Sequence, residues 1–307
     1  MNAKTHTNRR WHIAVFLAPA VLIYTALMIL PLFGTLKLSL YQEVDQQQVF
    51  VGLQNFNTLF GDPNWSESFW RALKNNTWFF FIHMAVQNPI GIAIAAMLSA
   101  RGLWGKSFYR TAIFIPTIMS FVIVGFAWKL ILSPLWGIAP GLLDAIGLKS
   151  LFHPWLGKEE YALTAIALIS VWQFVGIPMM LIYAAMLSIP DEVIEAGEMD
   201  GLTGMKSFWK IKLPLILPSI GIISILTFVG NFNAFDLVYT MEGAMAAPNF
   251  STEVMGTFLF RTFFGHQTQL GDPNMGATIA MMMFFVILTG VMVYLFLIQT
   301  RMRRYQF

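Results

Sequence analysis

Six apolar runs of about twenty residues or slightly more are the feature that most restricts how this chain can fold. They cover residues 13–32, 77–99, 108–132, 161–187, 214–235 and 276–298. A bilayer core is about 30 Å thick and is crossed by about 20 apolar residues in a helix. Lys129 lies close enough to the end of the third run to reach the membrane boundary. The runs predict an all-α, polytopic membrane protein with six transmembrane helices in a single domain of 307 residues.

The composition excludes several other classes of protein. Hydrophobic residues make up 57% of the chain and charged residues only 11%, whereas about a quarter of the residues of a soluble domain are charged. The chain has no cysteine, which excludes disulfide scaffolds and thiolate metal sites. With a net charge of only +3, a nucleic-acid partner would need a local basic patch. We expect neither a metal site nor a nucleic-acid partner.

The positions of the basic residues predict the orientation in the membrane. With the N-terminus inside the cell, twelve of the nineteen lysines and arginines fall on the cytoplasmic side. Cytoplasmic loops of membrane proteins carry an excess of these residues. We therefore expect both termini in the cytoplasm. The first run exceeds the roughly 7–15 apolar residues of a secretion signal, so we interpret it as a retained span.

An acidic segment between the fourth and fifth runs has an unusual composition. Five acids fall between Asp191 and Asp200, and a proline precedes them. Pro190 and the early acids favour a helix start, and Gly201 favours a stop. We predict a short helix over about 189–201. Val193, Ala196 and Gly197 form a face of small residues. The helix either docks on a basic groove of a cytosolic protein or is a solvated loop helix, and the residues alone leave both open.

The spacing within and after this segment carries a resemblance. Glu195-Ala196-Gly197, then Gly201 after three residues, then Ile211-Lys212-Leu213-Pro214 after nine, resemble the EAA loop of ATP-binding-cassette importer permeases. Gly197 departs from the alanine that is usual there. In that family the loop is a coupling helix in a groove of the ATPase. The resemblance implies that Glu195, Ala196, Gly197, Asp200 and Gly201 serve ATPase coupling, with Glu195 paired to a basic residue.

The likeness extends over about residues 15–300 and is closest to the larger membrane subunit of maltose-type and glycerol-phosphate-type systems. Val51-Gly52-Leu53-Gln54-Asn55-Phe56 is similar to the segment after their first span. The large external insertion of the maltose subunit is absent, and Met241-Glu242-Gly243 replaces a Gly-Gly-Pro turn. The resemblance implies a type I importer permease fold in the bacterial cytoplasmic (inner) membrane.

The family's partners are implied in the same way. They are a second homologous permease, a cytosolic ATPase dimer that holds ATP and Mg, an external substrate-binding protein, the lipid bilayer and a sugar. No cofactor is expected in this chain.

A sugar site needs amides or hydroxyls together with aromatic surfaces. Two spans supply them, and the predicted contacts are Trp172, Gln173 and Gly176 in the fourth span and Thr227, Asn231 and Asn233 in the fifth. The resemblance to the maltose subunit matches Gly176, Thr227 and Asn231 to its substrate contacts. Interhelical hydrogen bonds are the alternative role for these side chains.

Two other functions are alternatives. His83 and Gln87 share a face of the second span and could relay protons in a secondary transporter, although a hydrogen-bonded packing pair is the simpler interpretation. A membrane enzyme would need clustered acids or histidines at one depth, and the spans contain none. Gly105-Lys106-Ser107 lacks the earlier glycine of a phosphate-binding loop. An importer permease that is not itself an enzyme is the prediction.

Overall fold

The computed structural model describes residues 5–100, 102–266 and 270–296. Lys4, Arg101 and the arginines beyond residue 300, which support the predicted orientation, lie outside these ranges. Within them the chain is mostly helical. The α-helices are α1 (Thr5–Tyr24), α2 (Leu30–Ser39), α3 (Gln54–Gly61), α4 (Pro63–Ile82), α5 (Asn88–Leu98), α6 (Lys106–Phe114), α7 (Phe121–Ile131), α8 (Ala139–Ala145), α9 (Glu159–Phe174), α10 (Gly176–Leu187), α11 (Asp191–Met199), α12 (Gly204–Ser207), α13 (Leu213–Phe232), α14 (Asp236–Glu242), α15 (Met255–Phe264) and α16 (Pro273–Tyr294).

Three long helices pass through a π-helical turn, and a proline is the second residue after each turn. The turns are Thr25–Ile29, His83–Gln87 and Phe208–Lys212, and the prolines are Pro31, Pro89 and Pro214. A proline in a helix removes an N–H donor, and its ring crowds the carbonyl four residues earlier. The wider turn makes room for the ring while the helix continues. The chain therefore forms unbroken helices over 63–98 and 204–232.

The helices long and apolar enough to cross a membrane number four among the described residues, or six if each of two bent pairs is one span. The third predicted run is not a straight helix, since α6 and α7 meet at 96°. The reason is local: Pro116 lies in a 3-10 turn, Met119 and Ser120 are extended, and Ser120 caps α7. The fourth run bends by 41° between α9 and α10.

A β-hairpin is the exception to the predicted all-α fold. Strands β1 (Tyr41–Val44) and β2 (Gln47–Phe50) pair antiparallel, with Tyr41 opposite Phe50. The two turn residues have positive φ angles of 52° and 64°, as the twist of a two-residue hairpin demands. The pair Asp45-Gln46 contains no glycine, so the sequence carried no usual signal of such a turn.

The helices pack most closely where small residues let backbones approach. Gly91 of α5 faces Pro178 of α10, and a Cβ placed on Gly91 would lie 3.0 Å from the proline ring. Such contacts are typical of helix pairs within membranes. By contrast, the most apolar stretch of the helix formed by Trp11–Ser39 has no buried side chain. That surface requires lipid or another protein as its partner.

A buried ionic cluster holds the segment before α15 against α4. The carboxylate of Glu253 is fully buried, accepts a hydrogen bond from Arg261 and lies 3.1 Å from Nη2 of Arg71. The ring of Phe250 lies 5.3 Å from the Arg71 guanidinium and 5.0 Å from that of Arg261. Asn75 adds hydrogen bonds to two backbone carbonyls of the same segment. These contacts join residues far apart in the sequence into one unit.

Replacing Glu253 by glutamine is expected to destabilise the protein by about 3 kcal/mol, because two guanidinium groups lose their buried anion. The measurement is the thermal unfolding midpoint of the purified protein in detergent. Glu67→Gln is the matched control, since Glu67 also pairs with Arg71 but its side chain is 79% exposed. The control is expected to change stability by less than about 1 kcal/mol. Equal midpoints for the two variants would contradict a structural role of the buried cluster.

Candidate functional site

The acidic helix α11 is defined at both ends by local chemistry. It spans Asp191–Met199, within the predicted range of about 189–201. Asp191 and Glu192 occupy the first turn, where the helix dipole favours negative charge. Gly201 has a φ of +75°, and the Leu202 N–H donates to the Gly197 carbonyl at 2.8 Å. These two features form the glycine-terminated cap that commonly ends helices.

Gly197 faces the body of the protein, unlike the other predicted coupling residues. It is buried, and a methyl group on it would overlap Cδ1 of Ile211. Ile211 belongs to the π-helical turn that precedes α13. The fixed spacing between the two parts of the EAA-like pattern thus corresponds to a contact that folds the loop back on the helix. Any effect of Gly197 on a partner acts through this packing.

Glu195, Ala196 and Asp200 are exposed, as is Gly201. The remaining acids of the helix are exposed as well, together with Val193 (42% exposed) and Met199 (89%). Of the predicted small-residue face, Val193 and Ala196 therefore point outward while Gly197 does not. The result is a short, negatively charged helix with apolar side chains among its carboxylates.

A cavity of about 320 Å³ lies between α4, α7, α9, α10, α13 and α14. Its walls combine aromatic rings with hydroxyl and amide groups. The polar side chains that line it are His83, Gln87, Ser170, Thr227, Asn231, Asn233 and Asp236, and the aromatic ones are Phe79, Phe121, Phe174 and Phe235. Aromatic faces with a few convergent polar groups can bind a small polar molecule that has apolar faces.

Thr227 and Asn231 are the predicted contacts that line this cavity from within α13. The amide of Asn231 donates to the Thr227 carbonyl at 2.6 Å, and the Thr227 hydroxyl lies 3.3 Å from the Asn88 side chain. The backbone carbonyl of Asn231 accepts a hydrogen bond of 2.7 Å from Nδ2 of Asn76, and the Asn76 side chain is fully buried. Asn76 also accepts the Met255 N–H at 2.7 Å. One amide therefore joins the end of α13 to the start of α15.

His83 is held by hydrogen bonds on both sides of its ring. Nδ1 lies 2.8 Å from the Phe79 carbonyl, and Nε2 lies 3.0 Å from the Ser170 hydroxyl. The partners of His83 are thus a backbone group and Ser170, and Gln87 is not among them. The expected His83–Gln87 packing pair does not form, although both residues line the cavity.

Gln173 and Gly176 lie in a packing contact rather than on the cavity wall. Gln173 is fully buried and donates to the Met119 carbonyl at 3.1 Å. A Cβ on Gly176 would lie 2.9 Å from the Thr117 hydroxyl and 3.1 Å from Cα of Phe114. Both residues let α9 and α10 approach the broken third run. Their assignment as substrate contacts stays a prediction.

The two remaining predicted contacts differ in position, since Asn233 lines the cavity and Trp172 does not. Trp172 is 42% exposed and packs edge-to-face on Trp128, with ring centroids 5.5 Å apart. Asn233 lies one residue beyond α13, is exposed at the cavity edge and donates to the Val229 carbonyl at 2.9 Å. The fifth run was expected to hold both Asn233 and Phe235 within its helix, and the helix ends before them.

Ser170 and the rings of Phe79, Phe121 and Phe174 were missed by sequence reasoning. In the sequence of its own helix, each of these residues looks like an ordinary buried packing residue. They form one wall only because the helices bend toward each other, and no local signal indicates that arrangement. Among the described lining residues, Asp236 is the one with a formal charge, while His83 is paired as described above.

Comparison with known proteins identifies the class. The profile of the family described as binding-protein-dependent transport system inner membrane component matches residues 87–304, well over half of the chain. The chain belongs to this family. It is a permease subunit of an ABC importer, a multi-pass protein of the bacterial inner membrane, and it is not itself an enzyme.

Individual relatives and one solved structure support this assignment. The chain is 32% identical to a probable ABC transporter permease protein of Bacillus subtilis, over 81% of this chain and 84% of the relative. It is 30% identical to the multiple sugar-binding transport system permease protein of Streptococcus mutans, over 78% and 77%. A solved bacterial ABC transporter involved in the import of the acidic polysaccharide alginate has the same fold, with a TM-score of 0.75, 22% identity and coverage of 97% and 96%.

Metal chemistry has no candidate site in the described part of the chain. Within residues 5–100, 102–266 and 270–296, no group of three or more His, Cys, Asp or Glu side chains could hold an ion.

The contact between Gly197 and Ile211 can be tested with a double-mutant cycle. Gly197→Ala gains about 1 kcal/mol of helix propensity but overlaps Cδ1 of Ile211, and Ile211→Val alone loses about 1 kcal/mol of packing. Because valine lacks that methyl group, the double variant is expected to be more stable than the sum of the single effects, by on the order of 1 kcal/mol. Thermal midpoints of the four proteins measure the coupling. Additive effects would show that the two side chains do not meet.

Proposed function

We propose that this chain is a membrane subunit through which an ATP-driven importer moves a neutral sugar into the cell. The observation that carries the proposal is the cavity, whose hydroxyl, amide and aromatic lining suits a molecule with many hydroxyls and apolar ring faces. Asp236 at its edge disfavours an anionic sugar. The Streptococcus mutans relative is named for multiple sugars, which supports the same class of cargo. A neutral oligosaccharide is the substrate that fits.

The topology follows from counting each bent pair as one span. Six spans result, with both termini in the cytoplasm as the basic residues indicate. In this orientation α11 lies in the cytoplasm. The hairpin and the Glu253 cluster lie on the outer side.

The partners follow from the positions of these features. An ATPase dimer, which holds the ATP and Mg, docks on α11 of this chain and on the corresponding helix of a second, homologous permease. The substrate pathway runs between the two permeases. An external binding protein delivers the sugar to the outer loops. ATP-driven closure moves α11, and the packed contact at Gly197 passes this motion to α13, which carries Thr227 and Asn231.

A proton-coupled secondary transporter is not proposed, because the relatives of this chain are ABC permeases. The ring of His83 is already engaged on both sides.

Glu195→Lys tests the assignment of α11. We expect it to abolish association with the ATPase and uptake, because a lysine faces the basic residue expected on the partner. Co-purification of the ATPase and sugar uptake are the measurements. Glu192→Lys makes the same change of charge on the same helix and is the matched control, expected to have a smaller effect. Unchanged association in Glu195→Lys would refute the coupling-helix assignment.

Asn231→Leu tests the cavity. The substitution removes the side-chain amide but keeps the backbone carbonyl that Asn76 binds, so assembly is expected to persist. Uptake of maltose, trehalose or lactose into proteoliposomes that contain the partners and ATP is expected to fall roughly tenfold, the effect of one lost hydrogen bond. Wild-type rates in Asn231→Leu would remove this residue from the site. Failure of the wild-type complex to transport any of the three disaccharides would overturn the proposed cargo.

A further inference from the structure

The π-helical turn His83–Gln87 places two polar side chains of the second long helix on the cavity wall. The N–H of Asn88 donates to the His83 carbonyl, five residues earlier, and Pro89 follows. The proline explains why the helix widens here. Turns of this kind recur at functional sites, and this one lines the cavity, whereas Thr25–Ile29 and Phe208–Lys212 do not.

The two side chains differ in how their polar atoms are satisfied. His83 has a partner for each ring nitrogen. Gln87 is 5% exposed, and its Oε1 has no hydrogen-bond partner among the described residues. Buried polar atoms nearly always have a partner, and one that lacks it is costly. Gln87 is thus the residue of the cavity wall whose buried acceptor, Oε1, is available to a molecule that enters the cavity.

The neighbouring polar groups do not donate a hydrogen bond to Oε1 of Gln87. The Thr227 hydroxyl lies against Asn88, and the Ser170 hydroxyl lies against His83. The donors closest in the sequence and on the facing helices are therefore already engaged. An incoming hydroxyl group can supply the missing donor, since a neutral hydroxyl donates to a carbonyl oxygen without bringing a charge into the membrane.

We infer that Gln87 binds the transported sugar by accepting a hydrogen bond from one of its hydroxyl groups, so that the second span shares in sugar recognition with the fourth and fifth. This inference rests on the proposed function. It assigns the specificity contact to a residue outside the two spans in which the sequence predicted the site. His83 and Ser170 act beside it as positioning residues, since their mutual hydrogen bond fixes the wall on which Gln87 lies.

The test compares sugars that differ by a single hydroxyl. The probes are whichever of maltose, trehalose and lactose the wild-type complex takes up fastest and the monodeoxy derivatives of that disaccharide. Discrimination is the uptake of the parent sugar divided by that of each derivative. The same binding protein serves every variant, so its own preference cancels when variants are compared.

The variants are Gln87→Leu and, as the control, Thr262→Val. Both remove a buried polar group whose oxygen has no partner among the described residues, but Thr262 does not line the cavity. Gln87→Met, which keeps the length of the side chain, replaces Gln87→Leu if the latter does not assemble with its partners. ATP hydrolysis without sugar reports that each complex is intact.

For one derivative, Gln87→Leu is expected to lower discrimination roughly tenfold, because the hydroxyl and its acceptor are lost together. Thr262→Val is expected to keep the wild-type discrimination for every derivative. Wild-type discrimination throughout in an intact Gln87→Leu or Gln87→Met complex would overturn the inference. Since the wild-type complex is the reference in each comparison, a failure of the proposed function is seen separately as the absence of wild-type uptake.

Discussion

The pairing of backbone amides in a medium without water is the constraint on which the rest of this structure depends. A hydrocarbon environment offers no partner to an exposed N–H or carbonyl group, so spanning segments must be helical. Prolines interrupt that pairing, and the chain accommodates three of them by widening the helix into a π-helical turn. One such turn lines the cavity, and another contains Ile211, which packs on Gly197. Two candidate functional features thus coincide with the places where regular helix geometry is relaxed.

Polar side chains between helices serve the same constraint and also shape the cavity. Asn88 and Thr227 bind each other, and His83 binds Ser170. These pairs satisfy polar side chains that face neither lipid nor water. They also determine which hydrogen-bonding groups remain available to a molecule that enters the cavity. The cavity is therefore mainly apolar with a few hydrogen-bonding groups and one formally charged side chain, which fits a neutral cargo better than an ionic one. Selectivity of this kind arises from the arrangement of hydrogen-bonding groups rather than from a strong field.

Much of the helical architecture could be predicted from the sequence, because apolar runs of membrane length have few other structures open to them. The short acidic helix was also predictable from Pro190 and Gly201. The break before α7 was not, since Pro116 alone does not reveal whether a helix widens, as it does at Pro89, or turns by 96°. The hairpin at Asp45-Gln46 lacked a glycine and gave no usual signal.

The site was predictable in part for a different reason. Thr227 and Asn231 share one face of one helix, so their joint position on the cavity follows from spacing. Gln173 and Gly176 satisfied the same chemical criteria, yet the bend of the third run brings Thr117 and Met119 against them. Side chains that become neighbours only through tertiary packing cannot be sorted into lining and packing roles by their sequence alone.

Asn76 has a consequence for how such permeases can be recombined. Its single buried amide binds the carbonyl of Asn231 and the N–H of Met255, so the segment leading into α15 is fastened to the same residue that ends the cavity. A segment between α13 and α15 transplanted from a relative would bring its own backbone to this amide. Grafts that begin after α13 would separate the two halves of the connection, and a functional exchange of this segment has to carry the Asn75-Asn76 pair of α4 along with it.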